Sequence, residues 1–288
     1  MATVGTSVVA SKLIGVSIEP FAATALRHAL ALPVLLLLCA RFRPAWVRPC
    51  RHDTLILLLQ AAAGSVGYTV LLIAGTTMAS AADAGVVAGT LPAMAALFAI
   101  LGLGEGPGRR AIAGIALATA GVLLLSAPDT GIQGTPMPQR TLGILLVAGA
   151  VACEVVFILG QGRLRTSIEP LTMATMMSAG GLLLSLPVAI VVEVTGSAGI
   201  ATGGPHMWQA FAAVAWYAWV PTAMGFWLWY AGARRAMATQ AAASTAWLPV
   251  VAVVGAAVVL GERVTSLQVA ALALVLSGVL LGSMRRRA

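Results

Sequence analysis

The tetrapeptide Ser17-Ile18-Glu19-Pro20 occurs again, letter for letter, as Ser167-Ile168-Glu169-Pro170, 150 positions later. A second echo follows. Gly75, Leu91-Pro92, Gly104-Glu105 and Gly121 match Gly232, Leu248-Pro249, Gly261-Glu262 and Gly278, each pair 157 positions apart. The chain is therefore two copies of one unit of about 140 residues, and whatever the first half folds into, the second must repeat.

Composition decides the solvent. Apolar residues make up 60% of the chain and charged ones 9%, against roughly 25% charged in a soluble domain. Most of the surface must face lipid, where backbone groups find no water and only helices or closed barrels can span. The apolar runs are about 18 to 24 residues long, the length of a membrane helix and not of a barrel strand. Ten spans are expected, near 3–18, 20–40, 54–74, 80–103, 110–127, 141–162, 170–193, 207–231, 236–260 and 265–283. The first repeat takes residues 1–127, a Pro- and Gly-containing linker 128–140, and the second repeat 141–288.

The net charge of +8 reads as a topology signal and not as a nucleic-acid surface. With the N-terminus in the cytoplasm, thirteen of the 17 Lys and Arg residues fall in cytoplasmic segments. Arg140 and Arg263 fall outside, and Lys12 and Arg27 lie within spans. This is the positive-inside pattern. Both termini are then cytoplasmic, in a bacterial-type inner membrane. Five spans per repeat is an odd number, so the second repeat enters from the opposite side. The halves are inverted repeats, the construction of secondary transporters that work by alternating access about a central site. Cys39, Cys50 and Cys153 form no disulfide framework or metal-type spacing. No cofactor, metal or signal peptide is expected; Lys12 interrupts the first apolar stretch.

The opening Gly5-Thr6-Ser7-Val8-Val9-Ala10-Ser11-Lys12, the paired Leu-Pro steps and the Gly-Glu turns, with Arg263 after the second, resemble the EamA-type branch of the drug/metabolite transporter superfamily. The branch's usual Trp before the first Gly is Val4 here, and Gly106 stands where its Arg would follow Glu105. The resemblance covers almost the whole chain. It implies ten helices around a cavity lined by the first four of each repeat, with the fifth outside. It also implies export of amino acids and related metabolites; other branches carry nucleotide sugars, triose phosphates or small cationic drugs.

Charges inside spans are costly, about 2.5–3.5 kcal/mol at a helix centre, and so mark cavities or partners. Lys12 is a candidate anchor for a substrate carboxylate, or a structural ion-pair member with Glu19. Glu154, mid-way along the sixth span, is a candidate for a substrate amine, a proton, or a neutralising partner of Lys12. Arg27 and His28 could both line the outer vestibule; alternatively Arg27 is an interfacial anchor and His28 a helix-packing donor. Asp83 reads as a helix cap or, alternatively, a pathway residue. Tyr68, Trp227 and Trp247 are candidate cavity walls or packing residues, and Gln60 and Gln240 candidate buried amides. Pro92 and Pro249 are expected to kink their helices at equivalent places, as gates would.

An integral-membrane lipid enzyme would need a catalytic cluster near an interface. The sole adjacent His-acid pair, His52-Asp53, stands without further partners in the sequence. A channel would need a selectivity ring or re-entrant loops. The expected partners are a small-molecule substrate and the bilayer, with proton coupling open and no nucleic acid.

Overall fold

A computed structural model describes residues 1–103, 108–125, 137–196, 206–233 and 247–283. The described residues are helical throughout, with no strand. In chain order they form α1 (Ala2–Ile14), α2 (Pro20–Phe42), α3 (Arg51–Gln60), a π-helical segment (Ala61–Gly67), α4 (Tyr68–Met78), α5 (Ala81–Ala88) and α6 (Leu91–Leu103). Then come α7 (Arg109–Leu125), α8 (Met137–Gln161), α9 (Pro170–Val194), α10 (Met207–Tyr217), a second π-helical segment (Ala218–Met224), α11 (Gly225–Ala233), α12 (Trp247–Val259) and α13 (Ser266–Ser283). Each of the ten expected spans contains a described helix. Five are long and apolar enough to cross a membrane, and α5 with α6 makes a sixth.

The local chemistry accounts for several boundaries. The Glu19 carboxylate accepts from the Ala22 N–H at 2.9 Å and Pro20 occupies the first turn of α2, a cap and a pre-set φ together. The first helix stops at Ile14, short of the expected 18, because Gly15 to Ser17 turn the chain into that cap. The fourth span is broken. The helices flanking Gly89-Thr90 meet at 42° just before Pro92, which has no N–H to continue the ladder. Helix α8 begins at Met137, inside the segment expected to be linker.

The two-fold relation between the repeats is visible in packing. Helices α7 and α13, the fifth of each repeat, lie against each other. Gly114 faces the carbonyl of Gly278, and Gly121 faces that of Ala271. Residues 114 and 271, and 121 and 278, are repeat equivalents, so each contact is the symmetry image of the other, as in an isologous interface. Rising number on α7 meets falling number on α13. The helices are antiparallel, and the axis relating the halves runs across them. Only glycine permits this approach: a Cβ at Gly114 would lie 2.7 Å from the Gly278 oxygen. Likewise α1 packs on α10 as α8 packs on α3, α2 packs on α9, and α5 on α12.

One core runs through both halves, with Val8, Leu72, Val87, Val147, Leu248 and Val275 all buried. Around the perimeter, large apolar side chains such as Leu37, Leu183 and Val258 are exposed, which suits a surface bathed in hydrocarbon.

Candidate functional site

The two π-helical segments, 61–67 and 218–224, are 157 positions apart and thus occupy the same place in both repeats. A π turn is wider than an α turn and recurs at functional sites. Here Gly64 of one and Pro221 of the other, also repeat equivalents, line a cavity of 380 Å³ between the halves. That volume lies in the range of small-molecule sites. The cavity extends toward the start of α1, at Thr3 and Val4, and the end of α11, at Leu228 and Gly232.

Its walls are apolar and aromatic, with Tyr68, Phe157, Tyr217, Phe226 and Trp229, and its charged side chains among the described residues are Glu154 and Arg27. The Tyr68 hydroxyl lies 3.4 Å from Ser7 Oγ, joining α4 to α1. Glu154 engages no hydrogen-bond or ion-pair partner among the described residues; Arg27 is the cation whose field reaches it. Arg27 is 4% exposed. Its Nη2 reaches His28 Nε2 at 2.8 Å and the Ser65 carbonyl at 3.1 Å, and its guanidinium carbon sits 4.6 Å from the centroid of the Tyr217 ring. Its Nε finds no acceptor among the described residues. A buried cation lacking a carboxylate partner is expensive in a bilayer. The stack on Tyr217 and two hydrogen bonds offset part of that cost.

The other sequence candidates are placed elsewhere. The Lys12 ammonium donates to the carbonyls of Thr76 at 2.5 Å and Ala79 at 2.9 Å, satisfying the last turn of α4. It is outside the cavity lining and does not pair with Glu154 or Glu19; the carbonyls that end a helix attract a cation as a carboxylate would. His28 is fully buried beneath Arg27 and bonds Ser178 Oγ at 3.2 Å. Gln60 is fully buried, and its amide nitrogen donates to the Phe157 carbonyl at 2.6 Å. Trp227 packs on Phe42 with ring centroids 5.8 Å apart. Trp229, two positions on and on the opposite helix face, lines the cavity and donates to Gln161 Oε1 at 3.2 Å. Trp247 is 63% exposed on the perimeter. Pro249 is buried at the start of α12 and packs on Gly89, at the bend of the fourth span near Pro92. Gln240 lies outside the described residues.

At the end of the bundle opposite α1's start, polar groups tie the repeats together. Arg140 donates from Nε to Asp83 Oδ2 at 3.0 Å and from Nη2 to Oδ1 at 3.2 Å, with both side chains buried. Gln268 adds bonds to Asp83 at 2.8 Å and to Ser80 Oγ at 3.2 Å. The Glu262 carboxylate accepts from the N–H groups of Ala81 and Ala82, capping α5 from the other repeat. Asp83 thus does not cap its own helix with its carboxylate; Ser80 does so, accepting from the Asp83 N–H at 2.9 Å. At the arginine-rich end, Cys50, His52 and Asp53 come within 4.8 Å of one another. The Asp53 carboxylate is committed to the N–H groups of Arg165 and Thr166, fastening the turn before α9 to α3.

An all-helical, lipid-facing bundle of two repeats around an internal cavity, with a buried arginine and a half-buried glutamate on its wall, has the architecture of a membrane transporter. The chain belongs to the EamA-like transporter family, which it matches over residues 1–127 and 141–284. It is 28% identical over 288 residues to YetK of Bacillus subtilis (strain 168), an uncharacterized transporter, covering 100% of this chain and 85% of that one. A solved crystal structure with 19% identity superposes with a TM-score of 0.58 over 97% of this chain and 95% of its own, a likeness of fold alone.

Proposed function

We propose that this protein is a secondary transporter that exports small metabolites, amino acids foremost, by alternating access through the cavity between its repeats. The observation that carries this reading is Glu154, a carboxylate with no partner among the described residues, on the wall of a largely apolar cavity in a membrane bundle. Such a group attracts a substrate amine, a proton, or each in turn, which is the minimum for exchange coupled to a gradient. Aromatic walls suit an amphipathic ligand. The cavity approaches the arginine-rich end, cytoplasmic by the positive-inside pattern, while buried polar bonds between the repeats occupy the other end. This supports an inward-facing arrangement in a bacterial-type inner membrane, with both termini in the cytoplasm. Bending at Pro92 and Pro249 would exchange it for the outward-facing one.

Counterflow in proteoliposomes tests the reading, with labelled amino acids beside a nucleotide sugar and a quaternary cation. Saturable exchange of amino acids is expected. Exchange of the quaternary cation or the nucleotide sugar alone would overturn the substrate class and leave the transporter fold standing.

A further inference from the structure

We infer that Arg27 is the carboxylate receptor of this cavity, and that Arg27 with Glu154 makes the site selective for a small ligand carrying an anionic and a cationic group together. The inference rests on the transport reading above and deepens it.

Three observations point to Arg27. It is nine-tenths buried and more, it lines the cavity, and its Nε–H has no acceptor among the described residues. The second buried arginine, Arg140, shows the contrast, since its Nε and Nη2 are met by Asp83. Arg27 makes no ion pair among the described residues, so a carboxylate entering the cavity is the group that completes it. Its orientation is fixed. Arginine only donates, so His28 Nε2 must be the acceptor of the 2.8 Å bond, and His28 is the neutral Nδ1–H tautomer donating to Ser178 Oγ. The ring beneath and the Ser65 carbonyl hold the guanidinium while Tyr217 stacks on its face.

Among the described residues the cavity then has one cationic side chain, held in place, and one carboxylate. In the register of the repeated tetrapeptide, Arg27 is matched by Met177 and Glu154 by Val4. Each repeat contributes one charge and an apolar counterpart to the other's. A ligand with a carboxylate and an ammonium on one carbon frame satisfies both ends in one orientation. A plain amine leaves Arg27 unmatched, and a plain carboxylic acid leaves Glu154 unmatched, and unmatched buried groups are what a site of this kind discriminates against.

The test is competition against counterflow of labelled leucine by leucine itself, by leucinamide, which lacks the carboxylate, and by 4-methylpentanoate, which lacks the amine. For the wild type, leucine is expected to compete at a concentration at least about tenfold lower than either analogue. In Arg27→Gln the preference for leucine over leucinamide falls toward unity, while in Glu154→Gln it is the preference over 4-methylpentanoate that falls. If Arg27→Gln does not fold, Arg27→Lys decides. It keeps a cation and loses the planar fork, so leucine should weaken several-fold and leucinamide should not; equal loss for both overturns the inference. An unchanged leucine-to-leucinamide ratio in Arg27→Gln overturns it too, with amino-acid transport intact. A wild type that exchanges no amino acid overturns the substrate reading itself, and the inference with it.

Discussion

His28 Nδ1 and Ser178 Oγ lie 3.2 Å apart, and the two residues are 150 positions apart, the separation of the repeated tetrapeptide. They are the same position of the repeat, so the pseudo-two-fold axis passes between them. A residue and its own image touch only on the axis. The sequence-adjacent Arg27 is thereby held beside the axis, where a site shared by two inverted halves must sit. Ser178→Ala would strip the buried Nδ1–H of its acceptor. A stability loss of about 1–3 kcal/mol is expected, read as a lower midpoint of thermal unfolding in detergent.

Lys12→Met tests the reassignment of that residue. Two charge-assisted bonds to the Thr76 and Ala79 carbonyls are lost, which should lower stability by about 1–3 kcal/mol. Substrate selectivity should stay as it is in wild type. A changed preference between zwitterion and amine would place Lys12 in the substrate path after all.

The buried Asp83–Arg140 pair should be costly to halve and cheap to replace. Asp83→Asn is expected to destabilise by about 3–5 kcal/mol, because a buried guanidinium loses its counter-charge. Asp83→Leu combined with Arg140→Met should recover much of that. Unfolding midpoints of the single and double variants, compared as a cycle, check it.

Gly278→Leu should force α7 and α13 apart. A Cβ at Gly278 would stand 2.6 Å from the Gly114 oxygen, and backbone cannot move aside as a flexible side chain does. A loss of about 1–3 kcal/mol is expected, with the cavity residues undisturbed and the affinity of any surviving protein unchanged.

Glu154 carries the pH prediction. If its carboxylate exchanges a proton for substrate, acidifying the far side of the membrane accelerates export in wild type, and Glu154→Gln loses that response. Flux indifferent to an imposed pH gradient in the wild type would assign Glu154 to substrate binding alone.

Much of the fold was legible because lipid leaves the chain few choices. Run length located the helices, five or six of the described ones long enough to cross a membrane, and the tetrapeptide and the Leu-Pro steps located the duplication. The site was less legible, for physical reasons. Lys12 and Arg27 both read as lone cations in apolar helices. Which one faces a helix end and which a cavity depends on neighbours 64 and 38 positions away. Arg140 looks in sequence like a loop cation, yet it is buried against Asp83, 57 positions earlier. The π turns had a faint signal, Gly64 opposite Pro221 in the repeat register, but neither residue alone demands one. Trp227 and Trp229 could not be ranked, since only the rotation of α11 decides which faces inward.

The unequal charges about the axis also bear on ancestry. A homodimer of the first half alone would bring two arginines to the centre and no acid, and a homodimer of the second would bring two acids and no arginine. Neither offers one of each. A pocket with one of each needs two copies that have diverged, and carrying both on a single chain guarantees that the unlike copies always meet one to one.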